Sequence, residues 1–223
     1  NERRKPIFIA TLMVLLFDDI RRQITFKNDY LKSYVKAIFS EEYEAYLSKP
    51  LSELPDELKM QYREEMLKPL AKAAIINSIG SYAPELDEVF CGDRYRKLSN
   101  NEREMMLSLS DQKSQEYLVF GIGIPHKAFN SHEEKAEHDE YQSKKIKFIQ
   151  AIIKSKQQKS GELYDLLKIP IVYTSFILST KESVKFEDIY EAYNVIEHAA
   201  HKGDFSQEFA YIFLNIVGKF PIG

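Results

Sequence analysis

Apolar positions along this chain recur every three to four residues, the spacing of helices that each bury one face. The densest stretch runs from Ile7 to Phe17, with Arg3, Arg4 and Lys5 before it and Asp18, Asp19, Arg21 and Arg22 after it. Pro6 suits a first helical turn and Asp18 with Arg22 makes an i,i+4 pair, so the pattern predicts a helix from Ile7 to about Gln23. Apolar residues at nearly every position leave little room for a wet face, which predicts a central helix surrounded by others. The final helix, from Phe205 to Val217, is its expected partner.

Further helices follow from caps and stripes. Asn28 caps a helix to about Leu47, with Tyr30, Leu31, Tyr34, Val35 and Ile38 on one side. A third opens at Pro55 and carries Leu58, Tyr62 and Met66; Pro69 in its interior should kink or split it, and Gly80 ends it. Ser99 with Glu102, and Ser131 with Glu134, are capping boxes, the second opening a long helix to about Gln158. That helix is acidic in its first half and basic in its second, the order the helix dipole favours. Phe186 to His201 forms another, closed by Gly203 in a left-handed position, after which Asp204 with Gln207 caps the final helix.

Three stretches read less simply. The apolar run from Tyr117 to Pro125 contains Gly121 and Gly123, which predicts a buried extended crossing whose glycines admit close neighbours. A short helix from Gly161 to Lys168 should stop at Pro170, and Ile171 to Leu178 suits strand or helix equally. The expectation is an all-α fold of about eight to ten helices with at most one short extended pair. Residues 1–223 are expected to form a single helical domain, with a division into lobes 1–92 and 99–223 as the alternative.

The hydrophobic share of 44% and charged share of 29% are those of a folded globular chain. A net charge of -3 removes broad attraction to nucleic acid, although a local basic patch remains. Cys91 is the only cysteine, which excludes an internal disulfide and a cysteine-rich zinc site, and a cytoplasmic location is expected. The basic start and apolar run imitate a signal peptide, but Asp18-Asp19 stands where small cleavage-site residues belong. The run is also shorter than the roughly 20 residues of a membrane span. The opening Asn1 suggests a piece of a larger protein.

Candidate chemistry is thin. His198 and His201 share a helix face at i,i+3, and with Asp204 they are the best-placed metal ligands, although no third ligand stands at a known spacing. The competing reading is two imidazoles favoured at a helix C-terminus. His132, Glu133 and His138 have the wrong spacing for HExxH, and Gly121-Ile-Gly123 lacks the third glycine of a dinucleotide loop. Arg94, Tyr95 and Arg96 are the expected interaction surface, and Lys144, Lys145 and Lys147 the basic patch.

These features predict a non-catalytic interaction or regulatory module with a protein partner and no cofactor. One alternative is a winged-helix-like domain that meets nucleic acid through the basic patch. The other is an enzyme whose site assembles only in three dimensions, metal-dependent at His198 and His201.

Overall fold

The computed structural model describes residues 4–93, 96–121, 123–124, 127–178 and 187–218. Among these residues the fold is all-α, with ten α-helices and no strand. The chain divides into two compact units, one made of Asn1–Ile75 and Ser155–Gly223, the other of Ile76–Lys154. The segment around Gly92–Asn101 therefore lies inside the second unit. No helix of the described residues is long and apolar enough to cross a membrane.

The first unit is built on α1 (Lys5–Gln23), which packs against α8 (Glu162–Ile177) and α10 (Gln207–Val217). Met13, Leu16, Phe17 and Ile20 are fully buried, and the Phe26 ring stacks on Phe17 at 5.2 Å and meets Phe209 of α10 edge-on at 6.4 Å. The expected partnership of the first and last helices is present. Complete enclosure of α1 is not, because Ile7 (63% exposed), Phe8, Thr11 and Leu15 (47%) leave an open stripe along it. Where every position is apolar, the sequence carries no direction, and only the packed neighbours decide which side is covered.

The second helix is shorter than its stripe suggests. Asn28 does cap α2 (Asp29–Ile38), its side chain accepting the Leu31 N–H at 3.2 Å. The helix then breaks where Phe39 packs edge-on against Tyr62 at 5.4 Å, and 3₁₀ turns follow at Glu41–Tyr46 and Leu51–Glu53. Beyond them, α3 (Asp56–Tyr62) runs through a π-helical turn, Arg63–Leu67, into α4 (Lys68–Ile76). The widened turn stands just before Pro69 and absorbs its missing N–H, so the helix changes register without splitting.

Pro170 also lies inside a helix. It was expected to end one, yet α8 continues through it to Ile177. Leu166, Leu167, Ile169 and Tyr173, all buried, flank the proline on both sides. Burying four such side chains at about 1.5–3 kcal/mol each outweighs the roughly 3 kcal/mol cost of an interior proline. The segment 171–177 is thereby helix and not strand.

After α9 (Glu187–Lys202), Gly203 takes the expected left-handed conformation with φ 81°. The cap of α10 is Ser206 and not Asp204: its hydroxyl oxygen accepts the Phe209 N–H. The reciprocal carboxylate comes from a distant residue, Asp165, which accepts the Ser206 N–H at 3.0 Å.

In the second unit, α5 (Leu86–Phe90) and α6 (Asn100–Gly121) precede α7 (His132–Gln158), whose last residues belong to the first unit. Tyr117 to Gly121, expected to be extended, is the end of α6. Among the described residues, nothing lies within 4 Å of a Cβ built at Gly121 or Gly123, so they do not serve close packing. Gly80 does. A Cβ there would overlap the Ser110 carbonyl and Ser114 backbone nitrogen of α6, while the Gly80 N–H donates to Ser114 Oγ at 2.9 Å. The capping box of Ser99 with Glu102 forms in full; at α7 Ser131 accepts the Glu134 N–H, while the Glu134 carboxylate accepts the N–H of Asn130.

Candidate functional site

The first unit contains a cleft of about 570 Å³ between the end of α1, the link from Ile24 to Phe26, α2 and the 3₁₀ turn Glu41–Tyr46. Its volume lies in the range of ligand-binding pockets, about 300–1,000 Å³. Ile24, Phe26, Val35, Phe39 and Leu47 supply its apolar surface. Lys32 and Lys36, one turn apart on α2, form a basic wall; Glu41 and Glu44 of the 3₁₀ turn form an acidic one. Among the described residues none of these four charged side chains makes an ion pair.

The acidic wall needs an explanation, because 3₁₀ segments longer than three or four residues are uncommon and their hydrogen bonds are poor. Arg21 provides it. This side chain, only 2% exposed, uses all five of its N–H groups. Nε donates to Tyr62 Oη (3.3 Å), and Nη1 to the carbonyls of Tyr46 (3.3 Å) and Leu47 (2.5 Å). Nη2 donates to Asp18 Oδ1 (2.7 Å) and to the Lys49 carbonyl (2.8 Å). The guanidinium carbon lies 4.6 Å from the Phe39 ring centre and 5.0 Å from that of Tyr62, adding cation–π attraction.

One buried cation thus gathers the carbonyls at the end of the 3₁₀ turn and fixes the acidic wall against α1. Its donors are spent, so Arg21 builds the cleft and does not contact a ligand by hydrogen bonding. Tyr62 donates its hydroxyl to Asp18 at 3.2 Å, and burial, followed by the Asp18 charge, pushes its phenol far above the ordinary range. It therefore stays a neutral donor.

The basic wall is fixed from the opposite end of the sequence. The Glu162 carboxylate accepts the N–H groups of Lys27 (2.9 and 3.0 Å) and Asn28 (2.7 Å), just before the first turn of α2. A carboxylate at that position satisfies orphan donors and complements the helix dipole. Both walls are therefore positioned by charged groups whose hydrogen bonds are already made, and among the described residues the rim charges make no ion pair.

The residues singled out from the sequence lie elsewhere. Arg94 and Tyr95 fall outside the described residues. Arg96 is tied into its own unit, donating to the carbonyls of Phe90 (3.0 Å) and Val89 (2.5 Å) and pairing with Glu102 at 2.6 Å. Arg96, with the N–H and hydroxyl of Ser99, holds the Glu102 carboxyl down at about 2. In the basic patch, Lys144 pairs with Glu140 at 2.8 Å, Lys145 sits 4.1 Å from the Tyr141 ring centre, and Lys147 is exposed. His198, His201 and Asp204 are all exposed, and among the described residues no group of three His, Cys, Asp or Glu side chains is placed to hold a metal ion. They are not brought together as a ligand set.

Arg21 and the rim of the cleft were not apparent as a site from the sequence. The available signal was the spacing of Phe17 and Arg21 at i,i+4, which puts the arginine on the buried side of an apolar helix. Comparison with protein-family models, with curated proteins and with solved structures finds no match for this chain.

Proposed function

We propose that this chain is a non-catalytic interaction module that captures a short apolar segment of a partner protein in the α2 cleft. The observation that carries this reading is the cleft itself: apolar surfaces between a basic and an acidic wall, with rim charges that make no ion pair among the described residues. An apolar anchor desolvated inside such a cleft supplies most of the affinity, and rim charges set orientation and rate of capture. The complementary segment has an apolar or aromatic anchor, with an acidic residue on the Lys32–Lys36 side and a basic residue on the Glu41–Glu44 side. Pre-organisation supports the reading further, because walls already held by Arg21 and Glu162 lose little freedom on binding.

The test is selection of a displayed random-peptide library on the wild-type protein, followed by binding of the enriched peptides to Val35→Asp and to Lys32→Glu/Lys36→Glu. Enriched peptides should carry the apolar anchor with flanking charges and lose at least tenfold in affinity for both variants. Enrichment of peptides that bind both variants as well as they bind wild type would remove the cleft as the capture surface.

A further inference from the structure

A second surface of the first unit has different chemistry. The helices α9 and α10 form a hairpin with a furrow of about 440 Å³ along one side. Its floor is made of small or buried residues, Ala200 (7% exposed), Ala210 (1%) and Leu214 (7%). Small side chains at the contact leave the groove open where larger ones would fill it. Tyr193 and the strongly exposed Tyr211 (68%) flank the floor.

The polarity changes along the furrow. The chain turns between the two helices at Gly203, and Tyr193 of α9 and Leu214 of α10 are the lining residues farthest along each helix from that turn. His201, Gln207 and Glu208 fall near it, with Glu197 between. From Tyr193 to His201 the furrow runs about 12 Å, at 1.5 Å per helical residue. Glu197 and Glu208 are exposed and, among the described residues, make no ion pair. Among the described residues no lysine or arginine lines the furrow.

We infer that this furrow docks a basic segment of a partner protein, an apolar side chain entering at the Tyr193–Leu214 end and arginine or lysine lying between Glu197 and Glu208. Charge complementarity fixes the occupant: two unpaired carboxylates attract a cation, and the exposed face of Tyr211 attracts the same cation through its ring quadrupole. The apolar floor supplies the contact that a free cation could not use. An acidic segment would be repelled, and a purely apolar one would strand both carboxylates in a desolvated furrow. This surface does not depend on the α2 cleft, which lies on other elements and favours a segment carrying both charges.

The probe is a fluorescein-labelled peptide with a Leu-Arg-Arg core between Gly-Ser flanks, titrated by anisotropy in low salt with full-length protein. Leu-Glu-Glu and Gly-Arg-Arg peptides serve as comparisons. Leu-Arg-Arg should bind saturably, Gly-Arg-Arg several-fold more weakly, and Leu-Glu-Glu not at all. Glu197→Lys/Glu208→Lys should lower the affinity at least tenfold and Tyr211→Ala about threefold, each with an unchanged melting temperature. Amide signals of residues 193–214 should shift on binding. Absence of binding, insensitivity to the charge reversal, or shifts confined to residues 24–47 would overturn the inference; the last result would assign basic peptides to the α2 cleft instead.

Discussion

Replacing Arg21 with methionine removes the cation that holds the acidic wall of the cleft while keeping an apolar side chain of comparable reach. It strips a partner from the Asp18 carboxylate, from the Tyr62 hydroxyl and from the carbonyls of Tyr46, Leu47 and Lys49. Breaking a buried ion pair by deleting one partner costs about 3–5 kcal/mol, because the remaining charge is left uncompensated. Asp18 keeps 13% of its side-chain exposure, its bond from Tyr62 and a 3.6 Å ion pair with Arg22, which favours the lower end of that range, about 3 kcal/mol. Against a total stability of about 5–15 kcal/mol, this is a large fraction. Arg21→Lys keeps the charge but offers three donors in place of five, so an intermediate loss of about 1–2 kcal/mol is expected. Urea unfolding followed by circular dichroism gives the stabilities. Amide exchange at residues 41–49 reports whether the 3₁₀ turn has been released. Adding Asp18→Leu to Arg21→Met should recover part of the loss, since the carboxylate that lost its buried partner is then gone. A cost below about 1 kcal/mol for Arg21→Met, with unchanged exchange at residues 41–49, would refute the assignment of Arg21 as the anchor of that wall.

Asp165 gives a pH-dependent test. Burial pushes its carboxyl up to about 6 from an ordinary 3.8, opposed by the Ser206 N–H that favours the ion. With the folded value above the unfolded one, protonation stabilises the fold: the contribution is complete below 3.8 and lost as pH rises through 6. Wild type should therefore gain on the order of 1 kcal/mol relative to Asp165→Asn on going from pH 7 to pH 5, and a flat difference between the two proteins would contradict this. Gly80→Ala places a methyl group against the Ser110 carbonyl and Ser114 nitrogen, two backbone atoms that cannot move aside cheaply. A loss of about 2–3 kcal/mol is expected, and a thermal melt indistinguishable from wild type would contradict the close crossing.

Much of the fold was legible because its signals are local. Asn28, Ser99 with Glu102, Ser131 and Gly203 act on amides within a few residues, and all four perform as their spacing predicts. Pro170 misled because a local cost was outweighed by the burial of Leu166, Leu167, Ile169 and Tyr173, which only the folded arrangement supplies. Tyr117 to Gly121 misled for a different reason: Gly121 is the last residue of α6, and among the described residues nothing packs against it. The spacing of Asp204 and Gln207 points two residues too early for the cap of α10, because the second half of the actual cap, Asp165, comes from 41 residues away.

The candidate site was less legible for a more basic reason. Three of the five groups that Arg21 binds are backbone carbonyls, which have no side-chain signature, and all three lie 25–28 residues away. Asp18 pairs with Arg22 at 3.6 Å as its spacing suggested, yet the neighbouring Arg21 takes the buried position and the larger consequence. Lys32 with Lys36 and Glu41 with Glu44 are only like-charged pairs three or four residues apart in the sequence. That they face each other across an apolar gap depends on the break at Phe39.

A charge-swap cycle tests the proposed capture of a partner segment most directly. A peptide selected on the wild-type protein is measured by calorimetry against Lys32→Glu/Lys36→Glu, and so is the same peptide with its acidic residue changed to lysine. Capture in the cleft predicts that the original peptide binds the variant at least tenfold more weakly than wild type, and that the changed peptide recovers most of the loss. Equal binding of the original peptide to both proteins, or no recovery by the changed one, would contradict it.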